Sequence, residues 1–188
     1  MAISPHLTRR RFTVDEYRRM GEVGVLAAEE RVELLNGEIV TMSPSGAPHH
    51  GTVLRISTLL FQRFADMALV SVQGPAAIDQ YSESQPDLML LRQRADYYTS
   101  GHPGPQDILL LLEVADSSLA TDRRVKMPLY ARNGVIEAWI VDLAHHRLLV
   151  YRDPEPGGYK VCWTLSRGHD VSPLAFPDRP IEVADVLG

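Results

Sequence analysis

The continuous apolar run Ile108-Leu109-Leu110-Leu111-Leu112 restricts the fold of this chain more than any other segment. A run of strand length without polar residues is typical of a strand that is buried on both faces in the middle of a sheet. The run leads directly into Glu113 and Val114. An unpaired charge at such a buried position costs several kcal/mol, on the order of 3–5, so Glu113 requires a cation or a proton.

A second carboxylate, Asp87, follows Pro86 and precedes the apolar segment Leu88–Leu91. Proline lacks an N–H donor and is tolerated at the start of a strand, so Asp87 is expected to enter the sheet there. If the two strands are neighbours, Asp87 and Glu113 meet at one edge of the sheet and hold a divalent ion. Bound Mg²⁺ or Mn²⁺ would remove the repulsion between the two carboxylates. The alternatives are a simple turn at Pro86-Asp87 and a Glu113 that is paired with an arginine.

A helix is predicted over about residues 119–132, where Asn133-Gly134 ends it and Pro128 kinks it or breaks one hydrogen bond. Asp122 and Lys126 lie four residues apart on one face of this helix. One interpretation is a surface ion pair worth about a few tenths of a kcal/mol. In the other interpretation, Lys126 points into a cleft, orients or helps deprotonate a water molecule, and stabilises negative charge on a phosphate.

These residues belong to a longer pattern that spans roughly residues 12–165. Its segments are Glu33-Leu34-Leu35-Asn36-Gly37-Glu38-Ile39-Val40, Met42-Ser43-Pro44 followed by His49-His50, Pro86-Asp87, Glu113-Val114-Ala115-Asp116-Ser117, Asp122 with Lys126 and Tyr130, and Gly134-Val135-Ile136-Glu137-Ala138-Trp139-Ile140-Val141-Asp142. The order of Pro-Asp, a strand ending in Glu, and Lys resembles the PD-(D/E)XK nuclease superfamily. The whole pattern more closely resembles the Uma2 family of restriction-endonuclease-like proteins.

The resemblance implies an α/β fold with a restriction-endonuclease-like core, in which a mixed β-sheet is flanked by helices and preceded by an N-terminal β-hairpin. It also implies a nuclease that hydrolyses DNA phosphodiester bonds with Mg²⁺ or Mn²⁺. Asp87 and Glu113 would hold the ion, and the main-chain carbonyl of Val114 would complete its shell. Lys126 would position the attacking water, and Glu33 would assist as an additional ligand or water-holder.

The chain departs from the superfamily at Ala115, which stands two residues after Glu113, where a lysine is usual. In the Uma2 pattern that lysine has moved to the following helix, here Lys126. Two weaker site candidates are Asp122 and His50. His50 matches the family pattern better than its neighbour His49.

Local signals place the other elements. Thr13-Val14-Asp15-Glu16 is a capping box that predicts a helix to about residue 21, and Asn36-Gly37 predicts a hairpin between strands at residues 31–35 and 38–42. A helix is expected over about residues 49–68, strands over 69–73, 87–91, 108–114, 137–143, 147–151 and 159–165, and a surface loop over 92–106. We expect one domain over residues 1–188, with the core at about 12–165. The tail, 166–188, is expected to be mostly irregular, with residues 181–187 docking on the core.

Composition limits the class of protein. No stretch of 18 apolar residues is present, and residues 1–11 are polar and basic, so neither a membrane span nor a signal peptide is expected. The single cysteine, Cys162, fits a cytoplasmic protein.

The formal net charge of −5 is unlike that of a protein that coats nucleic acid, but it is compatible with a nuclease whose site contains several carboxylates. Arg92, Arg94, Arg123 and Arg124 are candidates for a basic cluster near that site, and a solvated surface is the alternative. DNA is the expected substrate, and a homodimer or higher homo-oligomer is expected because two strands must be cut. The alternative functions are a non-catalytic nucleic-acid or protein interaction module on a nuclease fold, and a metal hydrolase with a different substrate.

Overall fold

The computed structural model describes residues 9–27, 29–42, 44 and 46–188. Ser43 of the sequence pattern and residues 1–8, which bear on the expected absence of a signal peptide, lie outside the described residues. The strands are β1 Val32–Leu35, β2 Glu38–Thr41, β3 Leu69–Val72, β4 Ala76–Asp79, β5 Ser82–Ser84, β6 Leu88–Leu91, β7 Ile108–Ala115, β8 Glu137–Asp142, β9 Arg147–Glu155, β10 Gly158–Leu165, β11 Asp170–Val171 and β12 Ile181–Glu182. The helices are α1 Val14–Glu22, α2 Ala47–Phe64, α3 Leu119–Thr121, α4 Met127–Arg132 and α5 Val183–Leu187, with a 3₁₀ turn at Pro105–Asp107 and a π-helical turn at Asp122–Lys126.

A six-stranded mixed sheet in the order β10-β9-β8-β7-β6-β3 forms the centre of the molecule. The pair β7 and β8 is parallel, and the other neighbours are antiparallel. All eight residues of β7 are buried, which confirms the central position predicted from its apolar run. Alternation along β7 turns Leu112 and Val114 toward one core cluster, and Leu111 and Ala115 toward the other. Glu113 lies between Leu111 and Ala115 in this alternation, so its side chain is on the same face of the sheet as theirs.

Helices cover both faces of this sheet, as expected for the predicted α/β fold. Helix α2 packs Ile56, Leu60 and Phe64 into the first core cluster, together with Val183 and Val186 of α5. Each large apolar side chain that is fully buried contributes about 1.5–3 kcal/mol. Because Val183 and Val186 lie in this cluster, the expected docking of residues 181–187 on the core is confirmed, and the core extends beyond residue 165. Among the described residues, no helix is long and apolar enough to cross a membrane.

The N-terminal hairpin forms as predicted, between β1 and β2. Asn36 and Gly37 have φ values of 56° and 81°, which the tight turns favoured in hairpins require at both central positions. The hairpin is part of a four-stranded antiparallel sheet in the order β2-β1-β5-β4. The sequence interpretation missed β4 and β5, because they are short and β5 consists of Ser82, Glu83 and Ser84 without an apolar alternation.

The helical segment 119–132 is continuous, but its middle is a π-helical turn. Met127 donates its N–H to the carbonyl of Asp122, five residues earlier. Pro128 follows directly and has no N–H to donate to the carbonyl four residues before it. The hydrogen bond that the sequence analysis expected to be lost at Pro128 therefore falls next to this wider turn. Such turns are frequent at functional sites. Here both of its end residues, Asp122 and Lys126, are buried.

Candidate active site

Asp87 and Glu113 lie at the same edge of the central sheet. Strands β6 and β7 are antiparallel neighbours, and Leu88 pairs with Leu112, so the residues flanking this pair are brought together. The main-chain N–H of Val114 donates a hydrogen bond of 2.8 Å to Oδ2 of Asp87. The start of one strand is therefore tied directly to the end of the other, as the sequence hypothesis required.

Glu113 is only 3% exposed and has no arginine partner in the described structure. The phenol of Tyr130 donates a 2.7 Å hydrogen bond to its Oε1, and Nζ of Lys126 lies 3.3 Å from the same oxygen. Burial raises the pKa of Glu113 well above its ordinary value. Lys126 opposes this increase, while the nearby carboxylates, Asp122 and Asp87 first, add to it. An ionised Glu113 is thus costly here unless more positive charge is supplied.

Lys126 is 6% exposed and lies between two carboxylates, because its Nζ is 3.0 Å from Oε1 of Glu33 as well as close to Glu113. Burial lowers the pKa of Lys126, but the attraction of Glu113, Glu33 and Asp122 outweighs this effect, and the pKa is raised overall. Glu33 also accepts a 2.7 Å hydrogen bond from the main-chain N–H of Gln85. The interpretation of Lys126 as part of a surface ion pair is wrong.

Asp122 is also buried, at 2% exposure, and lines a cavity together with Glu33, Glu113 and Lys126. The hydroxyl of Ser118 donates a 2.6 Å hydrogen bond to its Oδ2. Burial raises the pKa of Asp122, although Lys126 and the Ser118 hydrogen bond act in the opposite direction. The weaker sequence candidate therefore occupies an interior position next to the stronger ones.

The histidine in the cavity is His49, and the sequence preference for His50 is corrected. Nε2 of His49 lies 3.2 Å from Oδ2 of Asp87, whereas His50 is exposed and does not line the cavity. Both residues lie in the first turn of α2, where neighbouring side chains point in different directions. The hydrogen bond to Asp87 raises the pKa of His49, although partial burial opposes the increase. Gln73 makes a longer contact of 3.4 Å to Oδ1 of Asp87.

A cavity of about 190 Å³ connects these side chains. Among the described residues, its titratable lining consists of five carboxylates, two basic side chains and one histidine: Glu33, Asp87, Glu113, Asp116, Asp122, Arg31, Lys126 and His49. Within the described ranges, no group of three or more His, Cys, Asp or Glu side chains is arranged to hold a metal ion. The set of hard oxygen donors still fits Mg²⁺ or Mn²⁺, because Mg²⁺ usually binds one or two carboxylates, keeps several waters and contacts substrate phosphates. The excess of carboxylates in a buried space is the property that a divalent ion would balance.

The arginines expected near the site divide into two groups. Arg92 follows the end of β6 opposite to Asp87, and Arg94 forms an ion pair with Asp96 in the next loop. These two residues are therefore not part of a cluster at the site. Arg123 and Arg124 are exposed on the π-helical turn that carries Lys126.

The architecture and the position of these residues define a restriction-endonuclease-like α/β protein. The family model Uma2, described as "Putative restriction endonuclease", matches residues 14–184, and the chain belongs to this family. The fold is also similar to the crystal structure of a putative nuclease belonging to DUF820 from Anabaena variabilis ATCC 29413. The TM-score is 0.70 at 13% sequence identity, covering 94% of this chain and 97% of that chain. No curated protein sequence matches this chain.

Sequence reasoning missed several residues that orient the site. His49 and Gln73 contact Asp87, and the main-chain N–H of Gln85 contacts Glu33. Tyr130 was part of the family pattern, but no role followed from its position in the sequence. Its location four residues after Lys126, on the same helical face, was the available signal.

Proposed function

We propose that this protein is a divalent-metal-dependent nuclease that hydrolyses phosphodiester bonds in DNA. The family assignment supports a nuclease. The observation that carries the finer proposal is the buried ammonium group of Lys126, which lies 3.0 Å from Glu33 and 3.3 Å from Glu113 in a cavity rich in carboxylates. A buried arrangement of this kind costs free energy, and such groups are frequent at catalytic sites.

Asp87, Glu113 and the main-chain carbonyl of Val114 are the proposed metal ligands, and Glu33 is an additional ligand or water-holder. A bound Mg²⁺ or Mn²⁺ would supply Lewis acidity toward a phosphoryl oxygen and lower the pKa of a coordinated water. The carboxylates are held in place by hydrogen bonds from other parts of the chain: Val114 and His49 to Asp87, Tyr130 to Glu113, and Gln85 to Glu33.

Lys126 is proposed to act as a positive charge and hydrogen-bond donor. Because its pKa is raised, it remains an ammonium at neutral pH and has no free lone pair with which to remove a proton. This favours the role of orienting water and stabilising negative charge on the phosphate over the role of a general base. Ala115, at the usual lysine position, shares the face of β7 that carries Glu113. A lysine on the neighbouring helix therefore reaches the same carboxylate from a different backbone position.

Tyr130 is proposed to position Glu113. Burial and the neighbouring Glu113 raise the pKa of Tyr130 well above its ordinary value, so its hydroxyl stays protonated and continues to donate. This fixes one oxygen of the glutamate. The second oxygen can then face the cavity.

The test is cleavage of supercoiled, linear and single-stranded DNA by the purified protein with Mn²⁺ or Mg²⁺, and with EDTA. Glu113→Gln keeps the shape of the side chain but removes its charge. Glu38→Gln is a matched control, since Glu38 is exposed on β2 and pairs only with Arg9 in the described structure. We expect metal-dependent cleavage by the parent and by Glu38→Gln, and a loss of about 10²-fold or more in Glu113→Gln.

Mn²⁺ binding is measured separately by calorimetry. Cleavage that persists in Glu113→Gln, or a parent that neither binds Mn²⁺ nor cleaves any of the three substrates, contradicts the proposal. Binding of DNA without cleavage would support the non-catalytic interaction module instead.

A further inference from the structure

Two arginines converge on one neutral residue at the tip of the N-terminal hairpin. Nε of Arg11 donates a 2.8 Å hydrogen bond to the main-chain oxygen of Asn36. Arg132, the last residue of α4, donates from its guanidinium group to the side-chain oxygen of the same asparagine. Both arginines are exposed.

Neither of these guanidinium groups has a carboxylate within 4.0 Å among the residues that the structure describes. Other arginines nearby are paired, since Arg9 contacts Glu38 and Arg10 contacts Glu16. Two positive charges held on one neutral residue repel each other, and this arrangement is stabilised when an anion binds between or beside them. The hairpin tip therefore has the charge of an anion-binding site.

The tip is also preorganised. Gly37 has a φ of 81°, and a Cβ atom at this position would lie 2.6 Å from Cβ of Arg11, so only glycine allows the two segments to approach this closely. The main-chain N–H of Phe12 donates to the Gly37 carbonyl at 3.0 Å, and the Arg11 guanidinium lies 4.1 Å from the ring centroid of Tyr81. Arg11 is thus held in place by neutral partners, which leave its charge uncompensated.

The arginine pair is connected to the candidate active site by two rigid elements. Asn36, in the turn directly after β1, is three residues from Glu33, which is at most roughly 10 Å at about 3.4 Å per residue. Arg132 is six residues from Lys126 along the helix, roughly 9 Å at about 1.5 Å per residue.

We propose that Arg11 and Arg132 form a phosphate clamp for the DNA backbone, close to the bond that is cut. This inference rests on the proposed nuclease function and assigns a contact with the DNA backbone outside the acidic cavity. The planar guanidinium group suits this role because it can donate two parallel hydrogen bonds to phosphate oxygens.

The sharpest test is Asn36→Asp, which leaves both arginines in place and introduces a carboxylate at the side chain that Arg132 contacts. Asp-Gly forms the same type of hairpin turn as Asn-Gly, so the fold is expected to be retained. The new internal anion should pair with the Arg132 guanidinium and reduce the net positive charge at the hairpin tip. It should leave the melting temperature unchanged or higher and weaken DNA binding by about tenfold or more. Binding is measured by fluorescence anisotropy of a labelled duplex of about 20 base pairs with Ca²⁺ in place of Mg²⁺.

Arg11→Gln and Arg132→Gln provide the second measurement. Each should reduce the slope of log K against log salt concentration by about one. Arg179→Gln is the matched control, because this exposed arginine lies near Asp66, beyond the far end of α2 from His49. The clamp is wrong if Asn36→Asp binds DNA like the parent, or if the control changes the slope as much as the two tested variants.

Inorganic phosphate at matched ionic strength distinguishes binding of the DNA backbone from binding of free phosphate, since both present phosphate oxygens to the arginines. If phosphate raises the melting temperature of the parent but not of Asn36→Asp, and DNA binding is equal in both, the site binds free phosphate and the DNA assignment is overturned.

The proposed clamp and the proposed nuclease activity can also fail separately. A parent that binds DNA with the expected arginine-dependent slope but does not cleave it contradicts only the nuclease, whereas normal binding by the variants of a cleaving parent contradicts only the clamp.

Discussion

Replacing Lys126 with methionine removes the buried positive charge that Glu33 and Glu113 share. The separations of 3.0 Å and 3.3 Å correspond to an attraction of about 5 kcal/mol for each pair at an effective dielectric constant of about 20. The cost of burying the ammonium offsets part of this attraction. Removing one partner of a buried pair typically destabilises a protein by about 3–5 kcal/mol. We therefore expect Lys126→Met to lower the free energy of unfolding of the metal-free protein by about 3 kcal/mol or more at pH 8.

The loss should depend on pH in a defined direction. Burial raises the folded-state pKa of Glu113 and of Asp122, so the folded protein binds more protons than the unfolded chain as the pH rises above the ordinary range of carboxylates. Stability then falls with increasing pH, and it falls more steeply once Lys126 no longer opposes these pKa increases. The difference between Lys126→Met and the parent should shrink as the pH is lowered from 8 toward 5. Mn²⁺ should also restore part of the stability at pH 8.

The assay is denaturant unfolding at pH 5 and pH 8, with Mn²⁺ and with EDTA. Arg152→Met is a matched control, because Arg152 pairs with the fully buried Glu137 at 2.7 Å, away from the candidate site. This control should also be destabilised, but Mn²⁺ should not restore it. The reasoning is refuted if Lys126→Met is as stable as the parent at pH 8 without metal, or if Mn²⁺ stabilises both variants equally.

Three further predictions concern the residues around the carboxylates. Asp87→Asn should leave the metal-free protein as stable as the parent or slightly more stable, and calorimetry and melting should show that Mn²⁺ no longer binds or stabilises it. Tyr130→Phe should lower the stability by about 1–2 kcal/mol and the cleavage rate by about tenfold, because Glu113 loses its 2.7 Å hydrogen bond; an unchanged rate would show that the phenol is only structural. His49→Phe should reduce cleavage, because it removes the contact to Asp87, and His49→Gln should retain part of the activity. The exposed His50→Gln should cleave like the parent. Equal rates in all three variants would exclude a role for His49 in orienting Asp87.

The sequence predicted most of the elements because their signals are local. The apolar run before Glu113 indicated a central strand, and all of β7 is buried. Asn36-Gly37 indicated a hairpin, and both residues have the positive φ values that this turn needs. The resemblance to the Uma2 family added the restriction-endonuclease-like architecture, which the family match and the solved fold both bear out. Strands β4 and β5 were missed, since neither is long enough to show a periodic pattern.

The sequence alone determined which side chains were candidates for the site, since a carboxylate at the end of a buried strand is unusual wherever that strand packs. Only the tertiary structure decided which candidates meet. The ion pair between Lys126 and Glu33 joins residues 93 positions apart, and no local pattern encodes a contact at that separation. The choice of His49 over His50 likewise depended on how α2 is rotated against the sheet. Local periodicity records which face of an element is apolar, whereas the partner of that face depends on the pairing of distant strands and the packing of helices upon them.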